Sequence, residues 1–212
     1  MQKRKLFVSG RSIVASGLVL LLFAAISTTL VTGIHGLTYE RIVENERQAF
    51  LASVSKILPT AEYDNDPLED QVSLPSGQID PDAAISFGYR ARQGVKPVAV
   101  ILNMVAKNGY NGDIYLLVAV REDQSIAGVD VLSHKETPGL GDRIEAKKST
   151  WLEQFAGRFL DSERSPEWGV KRDGGDFDQL TGATITPRAV VNAVRAALDF
   201  TSRNHRLLFE TV

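Results

Sequence analysis

The sequence predicts an α+β protein in which a single N-terminal transmembrane helix precedes one domain with an antiparallel sheet packed against helices. Residues 12–34 contain no charged side chain. Three apolar runs at residues 97–106, 113–120 and 126–132 are separated by short polar turns, as in a strand meander. Beyond residue 186, apolar side chains recur at helical spacing. At 212 residues, one anchor and one domain with a real core are the natural division.

The N-terminal segment has the length and the flanking charge of a membrane anchor. At ~1.5 Å per residue, a helix over residues 12–34 spans roughly 34 Å, enough to cross the hydrocarbon core of a bilayer. Four basic residues and no acidic ones precede it. This bias predicts a cytoplasmic N-terminus at residues 1–11 and a periplasmic C-terminal domain, in the bacterial inner membrane. A cleaved signal peptide is the alternative, but the apolar region is long for one and residues 32–34 make a poor cleavage site.

Composition limits the chemistry of the chain. It has no cysteine, which excludes disulfides, thiolate catalysis and a cysteine-ligated iron–sulfur cluster. The three histidines are scattered without metal-ligand spacing, and His134 is expected at a loop or at the edge of a site. A redox cofactor would therefore be organic or bound by other subunits. Residues 35–212 contain 20 Lys and Arg against 26 Asp and Glu, and a net charge of −6 argues against nucleic-acid binding.

Residues 35–59 are predicted to form a juxtamembrane helix that ends before Pro59. Its apolar stripe consists of Tyr39, Val43, Phe50, Val54 and Ile57. We expect a stalk that packs against the domain of residues 60–212. A docking face for a membrane partner is the alternative.

Within that domain, residues 60–95 are rich in proline, glycine and aspartate, which predicts a variable loop with one short strand near residues 85–90. The three apolar runs that follow predict a three-stranded antiparallel meander. A tight Pro- and Gly-containing loop comes next, with Asp142 as the predicted N-cap of a helix over residues 143–155. Trp151 and Trp168 are expected in the core, and stacking on a ring is the alternative.

A polar, glycine-bearing loop at residues 173–187 leads into the last helix. Thr186 and Pro187 predict the helix start, with a hydroxyl N-cap followed by proline at the first helical position. The first turn of a helix stabilises an anion, and phosphate is the usual guest. Thr184 would lie beside this anion site without a capping role. The alternative is that residues 181–184 form only a turn before a helix.

Two motifs resemble those of a known family. The first is the run Asp178-Gln179-Leu180-Thr181-Gly182-Ala183-Thr184. It resembles the flavinylation motif, Asp-x-x-(Ser/Thr)-Gly-Ala-Thr, of FMN-binding subunits in the Rnf electron-transport complex and the related sodium-pumping NADH:quinone reductase. The second is the loop of residues 136–142. With the anchor and the last helix, the resemblance covers nearly the whole chain, and it is greatest to the RnfG family within the Rnf ion-translocating electron-transport complex.

The resemblance implies one covalent FMN per chain, attached to Thr184 through a phosphoester bond. A separate flavin transferase installs it from FAD and reads the signature that begins at Asp178. The motif residues around the attachment point are Thr181, Gly182 and Ala183. The other loop is implied to lie against the isoalloxazine ring, with ring or ribityl contacts from Glu136, Thr137, Leu140 and Gly141. Lys171 could neutralise the phosphodiester or the reduced flavin, or it could be a solvated surface lysine.

The family also implies a function. The chain would be a membrane-anchored electron relay, a translocase subunit without substrate turnover of its own. Its partners would be the other Rnf subunits, in a complex that couples electron transfer between NADH and ferredoxin to ion translocation. Two alternatives stay open at this stage: a non-redox, membrane-anchored assembly or binding module, and a free-standing flavin reductase.

Overall fold

The structure is a computed structural model that describes residues 10–74, 77–160 and 168–210. The chain divides into two compact units, Met1–Ala49 and Phe50–Val212. The described part of the first unit is one helix, α1 (Gly10–Ile57), which continues into the second unit. By length and composition, α1 contains the one candidate membrane span found among the described residues, and its most apolar window is not buried. The expected single N-terminal apolar helix is confirmed.

The second unit is built on an antiparallel sheet that has six strands among the described residues. The strands are β1 (Gln71–Val72), β2 (Gly77–Asp80), β3 (Ala83–Gln93), β4 (Lys96–Gly109), β5 (Gly112–Arg121) and β6 (Ile126–Ser133). Their order is β1-β3-β4-β5-β6, and β2 also pairs with β3. The helices α2 (Ile185–Arg203) and α3 (His205–Phe209) follow the sheet in the chain. The α+β class and the β4–β5–β6 meander are as predicted.

Both faces of the sheet are covered by apolar side chains. On one face, Leu102 of β4 and Leu116 of β5 share a cluster with Val190 and Val194 of α2. On the other face, the end of α1 packs against the sheet; this second cluster comprises Val54, Ile57, Leu58, Ala91, Ala99, Ile101, Leu117 and Ala119. The end of the predicted stalk therefore belongs to the domain core. This packing fixes the sheet from which the site loops emerge.

The prediction for residues 60–95 was wrong in part: the short strand expected near residues 85–90 lies within β3, but the rest of the segment is not simply a loop. This segment contains β1, β2 and the 11-residue strand β3, and β3 pairs with β4 from Ala83↔Ala106 to Gln93↔Lys96. Ile85, Phe87 and Tyr89 alternate as in a strand, but the small residues around them give little local strand signal because β-branched and aromatic residues dominate strand propensity. Pairing with the strongly apolar β4, which is joined to β3 by residues 94 and 95, extends the strand beyond the predicted residues.

The helix predicted over residues 143–155 was also wrong. Two short 3₁₀ helices occupy this region, Gly141–Ile144 and Trp151–Phe155, and Leu140 rather than Asp142 precedes the first. Between them, the hydroxyl of Ser149 donates to the carbonyl of Arg143 at 2.5 Å and accepts from the Trp151 N–H at 3.2 Å. Such side-chain bonds to the backbone compete with the helical pattern.

Candidate functional site

A cavity of about 390 Å³ lies at the N-terminus of α2. Its lining residues are Tyr110, Glu136, Thr137, Leu140, Gly141, Arg172, Gly182, Ala183, Thr184 and Ile185. The volume falls within the roughly 300–1,000 Å³ that is usual for small-molecule sites. All the predicted site residues line this cavity except Asp178, Thr181 and Lys171. The two motifs, far apart in sequence, therefore line one site.

A tight turn forms the wall beside α2. The Ala183 N–H donates to the Leu180 carbonyl at 3.0 Å, and Gly182 has a φ of 81°. Residues other than glycine rarely adopt this left-handed conformation at the third position of a turn. A β-carbon on Gly182 would also lie 2.9 Å from Leu140 Cδ2. Glycine therefore provides both the turn and the close approach of the two loops.

The predicted helix start was wrong. Thr184, not Thr186, occupies the N-cap position of α2, and its side chain makes no capping hydrogen bond. Thr186 lies inside the first turn and is fully buried, and its hydroxyl donates to Glu136 Oε2. Pro187 is the third helical residue rather than the first. The local sequence predicts that the Thr186 hydroxyl caps the helix. Instead, this hydroxyl donates its hydrogen bond to the carboxylate of Glu136, 50 residues away in the chain.

Glu136 connects three segments around the cavity. It is buried, and its Oε1 accepts the Asn111 N–H at 3.0 Å from the turn between β4 and β5. The Glu136 N–H donates to His134 Nδ1 at 3.0 Å, which leaves the proton of a neutral ring on Nε2, facing Glu145 Oε1 at 3.0 Å. A β-carbon on Gly141 would lie 2.8 Å from both Glu136 Oε2 and Thr186 Oγ1. The carboxylate is therefore a structural junction in the wall of the site.

Lys148 reinforces the loop behind this junction. Its ammonium group contacts Asp142 Oδ2 at 2.9 Å and Glu145 Oε1 at 2.5 Å. These hydrogen bonds are the main reason that the pKa values of both carboxyl groups lie below their ordinary values and that the pKa of Lys148 lies above its own. Among the described residues, no group of three or more histidine, cysteine or acidic side chains could hold a metal ion.

A cation missed by the sequence prediction reaches Thr184. Arg172 lines the cavity, and its Nη1 donates to Thr184 Oγ1 at 3.4 Å. The adjacent Asp173 forms a two-point ion pair with Arg188 of α2, at 2.6 and 2.9 Å. This pairing lowers the pKa of Asp173 and raises that of Arg188. Lys171, which the sequence had suggested instead, pairs with Asp178 at 2.5 Å and does not line the cavity.

The remaining motif residues lie outside the cavity. Thr181 is exposed in the turn, and the side chain of Asp178 is 65% exposed. The Asp178 backbone is held firmly, because its N–H donates to Gln154 Oε1 at 2.9 Å and its carbonyl accepts from Trp151 Nε1 at 2.5 Å. Trp151 and Trp168 are both buried in the core, as expected. Tyr110 and Ile185 line the cavity without having been predicted, and neither belongs to a motif.

The arrangement suits a flat ligand with an anionic end. The N–H groups of Ile185 and Thr186 at the start of α2 make no hydrogen bond within the part of the chain that the structure describes. With the Arg172 guanidinium, they favour an anion such as phosphate beside Thr184. Leu140, Ile185 and Tyr110 are apolar or aromatic and substantially exposed, so a planar ring could cover them.

Comparison with known proteins gives consistent results along the chain. The FMN-binding domain family matches residues 109–199, and the RnfG N-terminal region matches residues 1–57. The G subunit of the ion-translocating oxidoreductase complex of Shewanella loihica is 40% identical over 198 residues, 93% of each chain. The protein of the same name from Pseudomonas aeruginosa is 43% identical over 198 residues, 93% of this chain and 92% of that one. The crystal structure of Shewanella oneidensis NqrC aligns with a TM-score of 0.46 and 25% identity, covering 70% of this chain and 72% of that one.

Proposed function

The chain belongs to the RnfG family, the G subunits of ion-translocating oxidoreductase complexes, and from this premise we propose that it is a membrane-anchored electron relay with one FMN bound covalently to Thr184. The segment that matches the FMN-binding domain family contains every residue that lines the cavity. The observation that carries the proposal is the position of the Thr184 hydroxyl. It lies in the cavity wall, at the start of α2 and beside a guanidinium group.

The phosphate end of FMN would lie at the start of α2. A phosphoester on Thr184 Oγ1 would place its charged oxygens near the free N–H groups of the first turn. Arg172 would neutralise part of the remaining charge, because a guanidinium binds phosphate oxygens through a planar set of donors. The hydroxyl of Thr184 is suited to attachment because it makes no capping bond to its own helix.

The ring end would lie in the rest of the cavity. Leu140 and Ile185 would cover apolar ring surface, while Thr137 and the backbone at Gly141 and Gly182 would approach the ribityl chain or the ring edge. Glu136 lines the cavity as well, but both its oxygens already accept hydrogen bonds from the protein. Its contribution would therefore be to fix the wall of the site. When bound, FMN supplies one- and two-electron redox chemistry, and the protein supplies position and electrostatic environment.

The relay role rests on the family and on the anchor. We propose that the domain lies in the periplasm and that α1 crosses the inner membrane through residues 12–34. A covalent link would then prevent loss of the cofactor from a compartment open to diffusion. The chain would exchange electrons with other subunits of the complex, which would couple NADH and ferredoxin oxidation and reduction to ion translocation. A flavin transferase would be its maturation partner, recognising the exposed Asp178 at the start of the motif.

Covalent flavin can be tested by its survival of denaturation. The full chain is co-expressed with a flavin transferase, denatured, separated on a gel and viewed under ultraviolet light. We expect a fluorescent band that Thr184→Ala abolishes and that Thr60→Ala, an exposed threonine outside both motifs, retains. A fluorescent Thr184→Ala band would refute attachment at this residue. A dark wild-type band, with the transferase active on another target, would favour a non-redox assembly module instead.

A further inference from the structure

We propose that Arg172 makes Thr184, rather than the other threonines of the loop, the acceptor of the flavin phosphate. This inference rests on the proposed covalent attachment and adds the chain's own contribution to that reaction. It follows from the environments of three hydroxyl groups within six residues of each other: Thr181, Thr184 and Thr186.

Only one of these hydroxyls is both accessible and beside a cation. Thr186 is fully buried and its hydroxyl donates to Glu136, so a dinucleotide cannot reach it without breaking that bond. Thr181 is exposed in the turn, and no basic side chain donates a hydrogen bond to it among the described residues. Thr184 is half-buried in the cavity wall, and Arg172 Nη1 donates to its oxygen.

The backbone that presents Arg172 is fixed at both ends. Val170 forms a bridge with the fully buried Phe177, and the Lys171 N–H donates to the Phe177 carbonyl at 2.8 Å. The Asp173–Arg188 ion pair joins the same turn to the first part of α2. The turn that carries Arg172 and the helix that follows Thr184 are therefore joined by the Asp173–Arg188 ion pair. This connection keeps the guanidinium group near the Thr184 hydroxyl.

A cation at this position accelerates the proposed reaction. Thr184 Oγ1 bonds to the flavin-side phosphorus of FAD, the bond from that phosphorus to the AMP oxygen breaks, and AMP leaves with the electron pair. The hydroxyl proton passes to a base of the transferase, because arginine stays protonated and both oxygens of Glu136 are engaged. A guanidinium beside Thr184 stabilises negative charge that develops on the attacking and phosphoryl oxygens. After transfer, it neutralises the phosphodiester.

The test measures initial rates of covalent flavin incorporation into the full chain in detergent, with purified transferase and FAD. The variants are Arg172→Gln and Arg172→Lys, with Arg203→Gln at the far end of α2 as the matched control. We expect Arg172→Gln to lower the maximal rate by at least about tenfold, less than the ~100- to 1,000-fold cost of a deleted oxyanion donor, because this arginine is exposed. Arg172→Lys should recover part of the rate, and Arg203→Gln should stay within about twofold of wild type.

Two further readouts separate this role from others. Thermal unfolding, followed by tryptophan fluorescence, should be the same for wild type and Arg172→Gln. If Arg172→Gln raises only the half-saturating chain concentration and leaves the maximal rate unchanged, Arg172 acts in transferase docking and the proposal is overturned. A wild-type rate in Arg172→Gln, or equal losses in the Gln and Lys variants, would also overturn it. If wild type itself incorporates no flavin on Thr184, the proposed function fails rather than this inference.

Discussion

Replacing the buried carboxylate of Glu136 should destabilise the domain and loosen the site. Glu136→Ala removes the acceptor for the buried Thr186 hydroxyl and for the Asn111 N–H. A hydrogen bond to a charged group contributes about 1.5–3 kcal/mol, and an orphaned buried donor costs about 1–3 kcal/mol. Asn111 is exposed, so water can replace its lost partner, and only the hydroxyl is left without one. We therefore expect a loss of roughly 2–4 kcal/mol in the free energy of unfolding.

The two tryptophans make this measurable in the full chain. Trp151 and Trp168 are the only tryptophans in the sequence, and both are buried in the core of the second unit. Their fluorescence during heating in detergent therefore reports on this domain and not on the anchor. For a domain of this size, 1 kcal/mol shifts Tm by about 2–4 °C, so Glu136→Ala should lower Tm by roughly 5–15 °C.

A double-mutant cycle isolates the Glu136–Thr186 bond. Thr186→Val keeps the shape of the side chain but removes the donor, and it is combined with Glu136→Ala. We expect a coupling energy of about 1 kcal/mol or more, because the two side chains are in direct contact. Glu153→Ala, an exposed acid, serves as the control and should leave Tm unchanged. A coupling energy near zero, or a Glu136→Ala variant with the wild-type Tm, would refute the role of Glu136 as a structural junction.

Two further changes address the loops around the cavity. Gly182→Ala should cost about 1–2 kcal/mol, because an L-residue is strained at this positive φ and its β-carbon meets Leu140; a wild-type Tm and flavin-incorporation rate would contradict the turn geometry. Lys148→Gln should lower Tm at neutral pH but not in strong acid. Asp142 and Glu145 have lowered pKa values in the folded chain, so their stabilisation is present above the unfolded values, about 3.9 and 4.3, and is lost as the pH falls through the folded ones. A Tm difference that stays constant from pH 7 down to pH 2, measured by the same fluorescence, would show that these pairs do not titrate as expected.

Much of the fold could be predicted because its signals are local. The runs that became β4, β5 and β6 combine branched apolar residues with clear turns, and both properties act within a few residues. Only the centre of β3, near residues 85–90, could be predicted in this way. Its residues Ala83, Ala84, Gly88 and Ala91 are small, and they adopt an extended conformation because β4 lies beside them.

The site shows the same division between local and distant causes. Through the resemblance, the two motifs identified seven of the ten residues that line the cavity, and Gly182 has the positive φ of a glycine in a turn. The role of Thr186 could not be read locally, since its partner Glu136 comes from another loop. The sequence also could not show whether Lys171 or Arg172 contacts Thr184. Adjacent residues point in different directions from a 3₁₀ turn, and only the tertiary structure shows which one faces Thr184.

The most direct test of covalent attachment is mass-spectrometric mapping of the chain purified from its own membranes. Trypsin should release residues 173–188, a peptide that contains all three candidate threonines, so fragmentation within it must locate the modification. We expect a mass increase of one FMN less one water, localised to Thr184 and absent from Thr181 and Thr186. An unmodified peptide, from protein that retains no flavin after denaturation, would contradict the covalent relay.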